Sequence, residues 1–268
     1  MKTLRAASVL VLAAAFAMTL VGGWFVAHDY ARQFRETPNA PPSRDFKLGT
    51  DDLGRDRFSR LLYGTRVSLL LAPAAALLSV ALAGLLGGFA GYHGGWSERG
   101  LMAVTDLFLS LPWFFVLITV RGLMPLNVAP TVSVLLTFLL LGLLGWAASA
   151  RVICGGARAV RNSDFVLQAQ ASGCTRTRLL LLHILPNLRP ALAAQFWTSI
   201  PVFILTEANL GLLGLGVAEP LPSWGGLLRD LQNHYGLLSQ PWRLAPLATL
   251  VIVVSAFQFA MTREEAVA

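Results

Sequence analysis

The residues with most capacity for chemistry are few and scattered. Gly49–Asp56, GTDDLGRD, puts three aspartates and an arginine beside two glycines, a composition that suggests a metal or phosphate site. A phosphate cradle needs a glycine-rich loop closed by G-K-[ST], because backbone N–H groups and one lysine share the anion. The chain has only Lys2 and Lys47, neither in such a loop, so paired charges are the better reading of 49–56. His28, His93, His183 and His234 are far apart, and neither H-E-x-x-H nor G-x-S-x-G occurs. Cys154 and Cys174 lack metal-ligand spacing and read as free thiols in a reducing compartment. No catalytic residue, metal or cofactor is expected in this chain.

The remaining polar residues matter because of what surrounds them. Hydrophobic residues make up 55% of the 268 and charged ones 13%, too apolar a balance for an ordinary soluble domain. Several runs of about 20 apolar residues predict an all-α polytopic membrane protein with six transmembrane helices. The net charge of +7 then reads as arginine facing anionic lipid and partners on the cytoplasmic side, and not as nucleic-acid binding. Expected spans are 6–27, 67–92, 101–121, 130–150, 191–216 and 244–261. A cleaved signal peptide is the lesser reading of the first.

Between the first two spans, 28–66 is a charged connection. Its first half is expected to be extended and its second half amphipathic, lying along the membrane face. The chain thus divides into 1–66, a membrane helix with an external connection, and 67–268, the main transmembrane domain. Gly84, Gly87, Gly88 and Gly91 share one helical face and predict close helix packing. Asp106 in the third span, which Pro112 should bend, is expected to tie two helices together or to line a pathway. Glu207 and Asn209 in the fifth span offer polar contacts near a pathway or between helices. After the fifth span, AEPLPSWGG begins a turn-rich external connection.

The segment that organises the rest is Asp164–Asn187, DFVLQAQASGCTRTRLLLLHILPN. It predicts two short helices broken at Gly173, the first capped by Asp164 and the second opened by Thr175 and ended by Pro186. Arg151, Arg158, Arg161, Arg176, Arg178 and Arg189 surround it against a single acid, Asp164, which places it in the cytoplasm. Both termini then lie inside, the last closed by Arg263, Glu264 and Glu265. The eight basic residues of 28–66 oppose this topology; the hairpin and the N-terminus support it.

These residues carry a resemblance. The hairpin resembles the cytoplasmic "EAA" loop of ABC importer permeases: Gly173 matches its central glycine, and His183, Ile184, Leu185, Pro186 and Asn187 its ending. LGTDDLGRDRFSRLLYGTRVSL (48–69), TDLFLSLPWFFVL (105–117) and EANLGLLGLGVAEPLPSWGGLL (207–228) resemble the dipeptide, oligopeptide and nickel branch, closest to its second, C-type permease. The resemblance implies a type I ABC importer fold. The permease would pair with a sister permease, two ATP-binding subunits holding ATP and Mg, and an extracytoplasmic solute-binding protein. Phe165, Gly173, Thr175 and Arg178 would form the ATPase dock, with His183, Pro186 and Asn187 shaping it. Leu167 and Gln168 stand where the family has glutamate and alanine, and Gln170 and Ser172 replace arginine and leucine; an altered partner groove or a degenerate transporter would each account for that. The cargo would be a peptide, or a nickel chelate or other small solute. An ion-coupled carrier using Asp106 and Glu207 is the alternative, but no internal repeat accompanies it.

Overall fold

In the computed structural model of the chain, residues 2–24, 26–124, 128–232 and 240–261 are described; the C-terminal charges Arg263, Glu264 and Glu265 lie outside that set. Among the described residues the chain is helical and no strand forms beyond one isolated bridge, Thr50 to Asp56. The helices are α1 (Lys2–Val21), α2 (Arg57–His93), α3 (Gly95–Ser110), α4 (Trp113–Leu123), α5 (Pro130–Leu144), α6 (Trp146–Arg161), α7 (Asp164–Ala171), α8 (Arg176–Leu179), α9 (Leu185–Leu212), α10 (Trp224–Arg229) and α11 (Ala245–Met261). Five stretches are long and apolar enough to cross a bilayer: Thr3–Val21, Arg57–His93, Pro130–Arg161, Thr177–Leu212 and Pro241–Met261. The pair α3 and α4 makes a sixth if counted as one span.

Several boundaries differ from expectation for identifiable reasons. The third span is broken, not merely bent: α3 and α4 meet at 80° around Leu111–Pro112. Leu111 is extended (ψ 134°), as the residue before a proline tends to be. The amphipathic element expected before residue 67 is instead the first turns of α2, which begins at Arg57. AEPLPSWGG is no loose connection, since Trp224 is fully buried and opens α10. Its indole N–H donates to Thr65 Oγ1 at 3.1 Å, and Ser223 caps the helix by accepting from the Gly226 N–H.

The chain forms two compact units. One comprises Met1–Ala72, Arg121–Phe138 and Pro201–Ala268; the other comprises Pro73–Val120 and Leu139–Ile200. In the first, α1 packs along α11. In the second, the glycine face of α2 works as expected at two of its four positions. A Cβ on Gly87 or Gly91 would collide with the carbonyl oxygen of Ala150 or Cys154 on α6, so backbone meets backbone there. Gly84 lies against the Leu192 side chain, whereas Gly88 faces open space.

Candidate functional site

The hairpin begins where α6 ends. Ser163, not Asp164, occupies the position before α7, with extended backbone (φ −78°, ψ 148°), and Asp164 sits in the first turn, where its charge favours the helix dipole. The Ser163 hydroxyl is turned back to the Val160 carbonyl, so it cannot close the new helix. At the other end Gly173 is left-handed, φ +80°. Its N–H donates to the Gln170 carbonyl at 3.0 Å and the Cys174 N–H to the Ala169 carbonyl at 3.1 Å. These two bonds make a complete Schellman closure, which satisfies carbonyls otherwise orphaned at a helix end.

The second arm does not stop at Pro186. From α8 the chain passes through a single π turn, Leu180–Ile184, straight into α9, so Thr177–Leu212 is one continuous helical path. Pro186 lacks an N–H and its ring would crowd the carbonyl four residues back, which predicts a break. The wide turn relieves this: the Leu185 N–H donates to the Leu180 carbonyl, one residue further than in an α-helix. The Asn187 amide donates to the His183 carbonyl at 2.6 Å. Thus His183, Pro186 and Asn187 come together at this turn, with the Asn187 amide bonded to the His183 backbone.

Apolar contacts hold the base of the hairpin. Ile184 and Leu188 are buried with Tyr92, Ile153 and Ala157, and Val160, Leu180, Ala191 and Leu192 pack around them. Burying an isoleucine and a leucine this fully stabilises by roughly 2 kcal/mol each. Val166 is also fully buried, and its neighbours Phe165 and Leu167 are 46% and 50% exposed. Gly173, Thr175 and Arg178 are exposed as well. With Asn187, also exposed, the structure therefore presents five of the seven hairpin residues singled out by sequence on an open surface, and it adds Leu167. That leucine is visible in sequence only as a departure from the family pattern.

The three intramembrane polar residues part company. Asp106 pairs with Arg151 of α6, and Glu98 pairs with Arg158, two ion ties between α3 and α6. Glu207 is fully buried; its Oε2 accepts from the Ser68 hydroxyl of α2 at 3.5 Å and from the Gly225 N–H at 3.4 Å. Asn209, two residues on, is exposed and joins neither group. The paired charges expected in GTDDLGRD form a polar cluster there, and its tie to Glu219 is what sequence reasoning missed. Asp51 Oδ1 accepts from the Leu53 and Arg55 N–H groups at 2.9 and 2.8 Å, and Oδ2 from Arg55 Nε at 2.6 Å. Arg55 and Arg60 both bind Glu219, Arg60 Nη2 at 3.0 Å from Oε1. Desolvation alone would push the Glu219 carboxyl up, but Arg60 and Arg55 outweigh it and hold it below the usual carboxylate range. Asp230 goes the other way: burial pushes it up, and the nearby Arg60 charge does not compensate. The charge-paired reading of 49–56 holds. Among the described residues no group of three or more histidine, cysteine or acidic side chains could hold a metal ion.

Comparison with known proteins fits this arrangement. Residues 83–263 match the family described as the binding-protein-dependent transport system inner membrane component. The chain is 33% identical over 246 residues to the dipeptide transport system permease protein DppC of Bacillus subtilis, covering 90% of this chain and 73% of that one. It is 33% identical over 232 residues to the oligopeptide permease OppC of the same organism, covering 85% and 72%. It is 31% identical over 219 residues to the glutathione transport system permease protein GsiD of Pectobacterium atrosepticum, covering 82% and 70%. These likenesses run through both units and through the hairpin with its continuous path into α9, and the chain belongs to the inner-membrane permease subunits of ABC importers, in their peptide-permease branch.

Proposed function

We propose that this permease subunit carries peptides inward and is driven through residues 164–187, which dock as a coupling helix in a groove on a separate ATP-hydrolysing subunit. The observation that carries this reading is the hairpin itself. Its tip is closed by Gly173 and exposes Phe165 and Leu167, while its second arm continues without a break into α9. A load applied at the tip is therefore delivered along one helix, the rigid-body transfer that alternating access requires. Phe165, Leu167, Thr175 and Arg178 make the contact, and Gly173, His183, Pro186 and Asn187 set the shape.

ATP and Mg are held by the partner subunits; this chain hydrolyses nothing. A sister permease completes the pathway, and a solute-binding protein delivers cargo on the far side. The hairpin and both termini face the cytoplasm, which puts the Asp51–Arg60 cluster and the 28–66 connection on the side of the solute-binding protein. Small peptides are the cargo, in keeping with the names of the dipeptide, oligopeptide and glutathione relatives. The experiment is uptake by vesicles containing the whole importer, combined with cross-linking from Phe165→Cys. Peptide uptake that follows ATP and ignores proton uncouplers, with a cross-link to the ATPase subunit, supports the reading. Labelling of 164–187 from outside the cell, or uptake collapsed by uncouplers alone, overturns it.

A further inference from the structure

We propose that a groove between α2 and α9 binds one anionic phospholipid, its acyl chain along the groove floor and its headgroup phosphate on Arg189. The groove holds about 610 Å³. Its α2 wall is Leu77, Val80, Ala81, Gly84 and Leu85, and its α9 wall is Leu185, Pro186, Arg189, Leu192, Ala193 and Phe196, with Leu181 of the π turn beyond them. Both sets recur at three- and four-residue steps, so each wall is one continuous helical face. Small residues at Ala81, Gly84 and Ala193 make the depth, and larger ones make the rims.

Arg189 is the one charged residue in that lining, and no acid accompanies it. In the same unit Arg151 and Arg158 are engaged by Asp106 and Glu98, and Arg161 donates to the Tyr92 carbonyl at 3.2 Å. The Arg189 side chain has no hydrogen bond or ion pair among the described residues, and it is exposed. An unpaired guanidinium beside hydrocarbon is costly unless an anion meets it or it reaches the interface. From Arg189 to Phe196 the α9 wall runs seven residues, about 10 Å at 1.5 Å each, well within one leaflet's ~15 Å of hydrocarbon. A ligand that is charged at one end and apolar for about that length fits both features at once. A purely apolar helix from another subunit would fill the floor and strand the cation.

Native mass spectrometry of the assembled importer from mild detergent, doped with phosphatidylglycerol or phosphatidylcholine, tests the assignment without turnover. It therefore succeeds or fails independently of the transport reading. Wild type should retain phosphatidylglycerol in preference. Arg189→Gln should lose that preference, about fivefold for one guanidinium–headgroup contact, while still holding phosphatidylcholine. Ala81→Phe should fill the floor and expel both lipids, with thermal melting of each variant reporting that the fold is intact. Undiminished phosphatidylglycerol retention in Arg189→Gln overturns the proposal. So does a cross-link from Leu185→Cys to the sister permease, which would make the groove a protein interface.

Discussion

The hairpin of 164–187 and the ion cluster around Arg60 are built on opposite principles. The cluster is dense in charge and largely buried: Arg60 is 1% exposed, Asp51 and Arg55 are buried, and both arginines reach the half-exposed Glu219 across more than 150 residues of sequence. The hairpin makes its polar bonds almost wholly with its own backbone, buries its base in aliphatic contacts and leaves its tip open. A segment that must be gripped by another subunit keeps its binding surface unsatisfied. A segment that must hold a fold together spends its polar groups internally. The same contrast orders the consequences of mutation.

The largest effect is expected at Arg60. Arg60→Ala leaves Arg55 as the one cation between Asp51 and Glu219 and removes both hydrogen bonds from a buried guanidinium to Glu219, which should cost about 3 kcal/mol of unfolding free energy, read by thermal melting in detergent. A loss below about 1 kcal/mol, the range of exposed pairs, would erase the distinction between the two regions. Gly173→Val comes next, with the opposite signature. A Cβ there meets open space, so the penalty is purely that of a β-branched residue at positive φ. Melting should hold while transport and stimulated ATP hydrolysis fall about tenfold, matching the 1–2 kcal/mol of a left-handed residue. Gly173→Asn should recover most of that loss, because asparagine tolerates this backbone. Lost transport in both variants would assign the tip a role other than shape.

Leu167→Glu returns the family's acid to the hairpin, yet here it should reduce ATPase stimulation by a few-fold, because the partner groove would have to bury an unpaired carboxylate. Stronger stimulation would mean that the groove still expects glutamate. The smallest effect is electrostatic and is read from pH. Glu219 titrates low in the fold, so its contribution is present at neutral pH and fades as pH falls through its folded value. Asp230 titrates high, so it favours the fold in acid and loses that benefit as pH rises through its folded value. Glu219→Gln should therefore be the less stable of the two at about pH 7, and the gap between Glu219→Gln and Asp230→Asn should close towards about pH 3. Parallel pH profiles would refute the opposed shifts.

Much of this architecture is legible in the amino-acid sequence. Apolar run length locates the spans, and one glycine between two short amphipathic stretches locates the hairpin. The features that sequence reasoning misses share a cause. The tie from Arg55 and Arg60 to Glu219 links residues 164 and 159 apart, and no periodicity relates them. Pro186 reads as a stop because local rules give proline no way to continue; one wide turn supplies it. Likewise Pro112 reads as a kink within a span, while the extended backbone at Leu111 turns it into a break. Ser163 and Asp164 are both good capping residues, and only the backbone at 163 decides between them.

The π turn at Leu180–Ile184 has a consequence for how this permease can vary. It holds one residue more than an α-helical turn would, so removing any single residue there should let the helix tighten and swing everything ahead of it by about 100° about the axis of α9. Composition and hydropathy would hardly change, but Phe165 would point elsewhere. Length in this short stretch acts as the phase setting of the hairpin, and single-residue insertions and deletions there should be far less tolerated than most substitutions.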